Sequence, residues 1–409
     1  MANIVADIPA DLVRQRIGGL QAEMRASRID AFLMTQNVDL YYYSGSMQTG
    51  YLFIPSIGEA TFYVRRSVER AKLETAVRVA ELGAFRHFGQ TLRNDYGALF
   101  GQSEAGSVRM AADLDVLPAQ TFLKLSELLT SSGRCELIDG SAYIRRQRMI
   151  KSAWEIGRIE AAAQAVAEAL DASLHELREG VSELDWMARV EYELRRRGHI
   201  GLMRMRGYNQ EIATGMVISG AAAAVPSYFD GPAGGLGLGA ASPQSVSRSI
   251  IRRNEPILLD VGCCIDGYVI DQTRTAVIGA LPAHLMKAYE VSETLIQAAE
   301  RQMMPGALCS KLYEDALAGC AAEGLADHFM GFGPDQAKFL GHGIGLEIDE
   351  WPVLAKGFDI PLEPGMVIAV EPKFTFPGEG VVGIENSYLI TEQGPRALTR
   401  SKTGLIVLP

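Results

Sequence analysis

Cysteine is scarce in this chain. Five residues in 409, at positions 135, 263, 264, 309 and 320, are odd in number and too thinly spread for a disulfide framework, so a reducing, cytoplasmic setting is expected. Basic charge is also short. With 39 Lys and Arg against 49 Asp and Glu, the formal charge is −10, and the clustered positive surface that nucleic acid selects is not expected. No apolar run approaches the roughly 20 residues needed to cross a bilayer, so no membrane partner is expected. Residues 1–10 carry neither a basic segment nor an apolar core, which argues against a secretory leader. The length predicts two domains, each large enough for its own core.

What is present lies mainly in the C-terminal half, where Asp260, Asp271, His342, Glu371 and Glu385 occupy contexts suited to a metal site. Asp260 closes the apolar run Ile257-Leu258-Leu259, Asp271 follows Tyr268-Val269-Ile270, and Asp266-Gly267 between them is a strong hairpin signal. A fold-back centred between residues 265 and 266 makes Asp260 and Asp271 direct cross-strand neighbours, with Cβ atoms about 4.5 to 5.5 Å apart. Two ionised carboxylates that close repel unless a cation lies between them. A second pair repeats the device: the runs ending at Glu371 and Glu385 flank the turn-forming Pro377-Gly378-Glu379-Gly380, with the fold-back centred on Gly378. His342 sits in Gly341-His342-Gly343-Ile344-Gly345, where glycines leave room beside the imidazole. Four carboxylates and one imidazole suit Mn, Co, Fe or Zn. Such a set, with shared oxygens, can hold two divalent ions roughly 3.5 to 4 Å apart. Each piece alone also fits a solvated turn acid or a stray histidine.

The stretch from Leu259-Asp260-Val261-Gly262 through Asp271-Gln272-Thr273-Arg274-Thr275 resembles the metal hairpin of the prolidase, aminopeptidase P and methionine aminopeptidase family. The segments Gly341 to Glu347, Met366 to Pro372 and Gly383-Ile384-Glu385-Asn386 match its next signatures in order. The resemblance runs from about residue 150 to the C-terminus. It implies an α/β (α+β) pita-bread catalytic domain, placed at 153–409, with Asp260, Asp271, His342, Glu371 and Glu385 as ligands of a dinuclear centre. It also makes Glu371 the residue that shuttles the proton when water attacks a C–N bond. Residues 1–148 resemble, more weakly, the smaller α/β N-terminal domain of creatinases and prolidases, through Arg28 to Met34 and Asn37 to Gly45. A homodimer whose N-terminal domain helps to close the pocket is implied as well.

The chain departs from the family in the substrate pocket. Where the peptidases carry histidines for the scissile carbonyl and developing oxyanion, it has Ser227, Lys338 and Asp349, and Gly383 replaces an arginine two residues before the last metal Glu. Ser227 and Lys338 can still donate hydrogen bonds, whereas an ionised Asp349 only accepts. Asp349 is therefore a general base, a binder of a cationic substrate group, or an exposed turn acid. Arg204 and Arg206, expected on the strand before the Ser227 segment, are candidates for holding a substrate carboxylate through the guanidinium fork, with surface pairing as the ordinary explanation. The first reading is a metal-dependent C–N hydrolase of the Xaa-Pro dipeptidase or aminopeptidase P type, acting on a small peptide. The alternatives are a creatinase-like hydrolase of a small non-peptide amide and a non-catalytic binding protein on the same fold.

The remaining elements are placed by pattern. Ile156, Ile159, Ala163, Val166 and Leu170 recur at helical spacing and predict a helix over 153–177. Ser182 is placed as the cap of a second helix that Gly198 ends. Further helices are expected over 282–302 and 310–323. The basic run 144–151 reads as a solvated linker or an interdomain ion-pair surface. The Gly- and Ala-rich stretch 220–239 lacks a following helix and reads as a flexible loop near the active site rather than a phosphate loop. Cys263 and Cys264 point to opposite faces of their strand, and are taken as buried small side chains.

Overall fold

Asp266 and Gly267 both adopt positive φ, 49° and 89°, in the computed structural model, which describes residues 7–101, 107–131 and 135–409. Two such residues form the tight turn whose twist matches a hairpin, and here it joins Cys263–Ile265 to Tyr268–Ile270. The turn lies one residue further along than the expected fold-back. The resulting register pairs Ile265 with Tyr268 and Asp260 with Thr273, so Asp260 and Asp271 are not directly opposed. The second hairpin has the expected register, with Val370 opposite Asn386 and Lys373 opposite Gly383 around the Gly378 turn.

The chain divides into two compact units, Met1–Gln147 and Arg148–Pro409. The first unit is built on a six-stranded mixed sheet in which the fully buried strand Ala31–Met34 runs antiparallel to Gly50–Pro55 and parallel to Val108–Ala112. The helix Asn37–Ser44 is capped by the Gln36 side chain and stops at Gly45, whose φ of 87° favours glycine.

The second unit carries a four-stranded sheet, a five-stranded sheet and two short two-stranded ladders. Helix Ala153–Ser173 begins with a capping box between Ser152 and Glu155 and gives way to a 3₁₀ turn at Leu174–Glu176, short of the expected residue 177. Ser182 caps Glu183–Arg196, and Gly198 follows that helix with φ 100°. Helices Ala283–Gln302 and Cys309–Ala322 bury Leu285, Tyr289, Leu312 and Tyr313 in one core with Ile368, Val370, Phe374 and Val382. The basic run does not behave as a solvated linker. Arg148 and Lys151 are buried, and their partners Glu347 and Glu350 lie in the loop that follows His342.

Both long hairpins are interrupted where the acids sit. Asp271 falls between Tyr268–Ile270 and Thr273–Ile278, Glu371 between Val367–Val370 and Lys373–Phe376, and Glu385 between Gly380–Gly383 and Asn386–Thr391. A bridge between Thr273 and Glu385 brings the two hairpins together. At each interruption the pleat no longer dictates the side chain's face, which allows the three carboxylates to converge.

Candidate metal centre

All five predicted ligands, together with Asp349, line one cavity of about 600 Å³ in the second unit. Asp271, His342 and Glu385 offer ligand atoms that lie within 4.8 Å of one another. His342 stands on Phe339–Gly343, at a bulge in its pairing with Glu350–Ala355. Its Nδ1 lies 3.1 Å from the Gly343 carbonyl and 3.3 Å from Asp349 Oδ1, while Nε2 is 3.5 Å from Glu371 Oε1. A proton on Nδ1 leaves the Nε2 lone pair for a metal, an arrangement in which the outer carboxylate fixes tautomer and ring angle. Glu385 is 1% exposed; Oε2 accepts from Thr273 Oγ1 at 2.8 Å, but Oε1 is buried with no hydrogen-bond partner. A buried carboxylate that keeps one oxygen unpartnered and stands in a cluster with an imidazole and a second carboxylate fits a divalent ion.

Asp260 and Glu371 are engaged differently. The ammonium of Lys373, 1% exposed, lies 2.7 Å from Glu371 Oε2 and 3.1 Å from both Asp260 Oδ2 and Glu385 Oε2. No sequence motif marks this lysine as part of the site; its place two residues after Glu371, across the break between Val367–Val370 and Lys373–Phe376, was the one local signal.

Charge is strongly perturbed throughout. Burial raises the Asp271 carboxyl well above the usual range, and Glu385 and Asp260 push it further. Burial likewise raises Asp260 against the pull of Lys373. For His342 burial works against the charged ring, but Asp349, Glu371 and Glu385 outweigh it and hold its pKa well above the ordinary value. For Lys373, burial is outweighed by Asp260, Glu371 and Glu385, which raise its pKa well above normal. A bound divalent ion inverts this logic at its ligands and draws their protons off.

The other predicted groups fall elsewhere. Arg204 and Arg206 lie outside regular secondary structure rather than on a strand, and neither lines the cavity; Arg206 instead faces buried Glu347 at 3.7 Å. Ser227 accepts from the Phe229 amide and borders a neighbouring cavity, and Lys338 borders another. Asp349 is half-exposed and faces the His342 ring from the cavity wall. The glycine-rich loop does reach the site, through Tyr228, Phe229 and Asp230. Cys263 and Cys264 are buried, and burial pushes their thiols up to about 12 and about 11. Such thiols are inert small side chains.

An acid-lined cavity holding a buried imidazole clustered with two carboxylates, set in an α/β unit, fits the metallohydrolase class. The comparisons agree. Residues 157–392 match the model of metallopeptidase family M24, and residues 16–150 match the creatinase/prolidase N-terminal domain. The Xaa-Pro dipeptidase of Pyrococcus horikoshii is 28% identical over 97% of this chain and all of its own length, as is that of Pyrococcus furiosus over 96% of this chain. The crystal structure of the prolidase from Pyrococcus horikoshii superposes with a TM-score of 0.78 at 27% identity, covering 96% of this chain and 100% of that one. The Xaa-Pro dipeptidase from Bacillus anthracis shares the fold at a TM-score of 0.80 and 24% identity, over 97% of this chain and 100% of its own. The chain belongs to metallopeptidase family M24, a family of hydrolases, and has its pita-bread α/β fold with a creatinase-type N-terminal domain.

Proposed function

We propose that this protein is a divalent-metal-dependent hydrolase of the C–N bond in a small amide, the reaction class of relatives named Xaa-Pro dipeptidase. The observation that carries the reading is the convergence of Asp271, His342 and Glu385, a buried carboxylate with one oxygen unpartnered, on one cavity. These residues would hold Mn, Co, Zn or Fe. A divalent ion bound there supplies Lewis acidity, polarising the scissile carbonyl and lowering the pKa of water. Glu371, on the same wall with Oε1 turned toward His342, takes the water's proton and returns it to the leaving nitrogen. Asp349 holds the imidazole ring in register. Tyr228 and Phe229 cover apolar parts of the substrate.

One feature favours a non-peptide or amine-bearing substrate as a second reading. Among the residues lining the cavity are Glu211, Asp230 and Asp349 besides the four clustered carboxylates, and His342 is the only basic side chain. A dipeptide's free carboxylate finds no guanidinium there, whereas a substrate ammonium group finds several acids. As part of the same proposal the protein works as a cytoplasmic homodimer.

The test is product formation by mass spectrometry with protein stripped of metal and reloaded with Mn, Co or Zn. The panel holds Xaa-Pro dipeptides, Xaa-Pro-Xaa tripeptides and small cyclic or N-substituted amides with and without an amine. Metal-dependent cleavage is expected, lowered by a factor of about 10² to 10⁴ in Glu371→Ala. Cleavage that persists without metal, or that is unchanged in Glu371→Ala, rejects the reading. Turnover confined to amine-bearing amides that lack a free carboxylate selects the second substrate class over the first.

A further inference from the structure

We infer that the centre is built for a single divalent ion, with the ammonium of Lys373 standing permanently where a second ion would draw Asp260, Glu371 and Glu385 together. The inference rests on the metal-dependent reading above and specifies what that site contains.

The geometry of Lys373 is that of a cation designed into the fold. It follows Glu371 by two residues at the head of Lys373–Phe376, and its side chain is 1% exposed. An ammonium carries three N–H donors, and here all three find carboxylate oxygens, at 2.7, 3.1 and 3.1 Å. Those oxygens belong to three of the five residues that would otherwise coordinate metal. An ion drawing all three oxygens together would have to take the volume the ammonium fills.

The opposite strand makes room for it. Gly383 pairs with Lys373, and a Cβ at 383 would stand 2.7 Å from Lys373 Cγ and 2.6 Å from the Pro372 carbonyl. No other side chain fits beside the lysine there. Gly383 is also the position at which family resemblance leads one to expect an arginine, so the positive group has in effect crossed from one strand to its partner.

What Lys373 leaves free is one site. Asp271 and His342 form no hydrogen bond or ion pair with the ammonium, and Glu385 divides its oxygens, Oε2 toward Lys373 and Oε1 toward no hydrogen-bond partner. These three residues are the group whose ligand atoms cluster within 4.8 Å. Charge points the same way. Asp260, Asp271, Glu371 and Glu385 contribute four negative charges, and Lys373 with one divalent ion contributes three positive, leaving one negative charge. That surplus favours a cationic substrate group, whereas a second ion in the ammonium's place would cancel it.

The experiment is equilibrium dialysis of chelator-stripped protein against Mn, Co and Zn, with bound ions counted per chain by inductively coupled plasma mass spectrometry. Wild type is expected to saturate at one ion and Lys373→Ala at two. Because the alanine variant leaves three acids facing one another, two further variants keep the inference testable without it. Asp260→Asn, which alters only a partner of the lysine, should retain the single ion; Asp271→Asn should lose it. Two ions in wild type would overturn the inference and leave metal-dependent hydrolysis standing. So would a single ion in a folded Lys373→Ala, or loss of the ion in Asp260→Asn. No ion in wild type would overturn both.

Discussion

At the scale of the residue, the chemistry turns on which carboxylate oxygens are already occupied. Asp349 is the clearest case, because its Oδ1 faces His342 Nδ1 at 3.3 Å while its carboxylate remains half-exposed on the cavity wall. Replacing it by Asn keeps the shape and removes the charge. If it orients the imidazole, Asp349→Asn weakens metal binding by about 10- to 100-fold, read by competition with a chromogenic chelator. If it binds a substrate cation instead, metal affinity stays constant and KM rises. Much of this level was legible in the sequence. Four acids and a histidine singled out by context line one cavity, and the register of the second pair follows from its turn. The first pair was misplaced by one step because Asp266 as well as Gly267 takes positive φ, which moves the turn centre. Lys373 was not legible in the sequence, because a lysine carries no metal-ligand signal in a motif of acids and a histidine. Its burial depends on Gly383, ten residues away in sequence and directly across the ladder.

At the scale of the element, the loop after His342 is held by a buried ion cluster. Glu350 accepts from the amides of Leu346 and Glu347 at 2.8 and 3.2 Å and pairs with Arg148 at 2.5 Å and Lys151 at 3.2 Å. Burial alone would raise its pKa, but Arg148 and Lys151 overcome that and pull it down to about 2 from 4.5. A carboxylate with a lowered folded pKa contributes stability above its unfolded value that is lost as pH falls through the folded one. The contribution is on the order of 3 kcal/mol. Glu350→Gln should therefore be less stable than wild type above about pH 4.5, with the gap closing toward pH 2. Urea unfolding across that range measures it, and a gap independent of pH would reject the charge argument. Helix limits were readable because apolar spacing and caps are local. The fate of the basic run was not, since Arg148 meets Glu350 across 202 residues and charge alone does not say whether a side chain is solvated or paired in a core.

At the scale of the whole molecule, the two units have separate cores, and among the described residues the candidate metal cluster lies in the second. The first packs Leu33, Phe53, Tyr63 and Phe88 around its six-stranded sheet; the second packs its two long helices against the hairpins that bear Glu371 and Glu385. An ion that binds the folded state alone adds stability by mass action, about 4 kcal/mol when free metal exceeds Kd a thousandfold. Because the ligands bind together strands that are remote in sequence, that energy falls on the ladders Ile257–Val261, Thr273–Ile278, Val367–Val370 and Asn386–Thr391. Amides there that exchange only through opening of the metal-bearing unit should slow by about a thousandfold on loading. Those of Ala31–Met34 and Val108–Ala112 should keep their stripped-protein rates. Hydrogen exchange followed by mass spectrometry separates the two sets of peptides. Equal slowing in both would mean that the units open as one cooperative body. No slowing in either would mean that the ion does not bridge the hairpins, and the assignment of Asp271, His342 and Glu385 as a shared ligand set would fail with it.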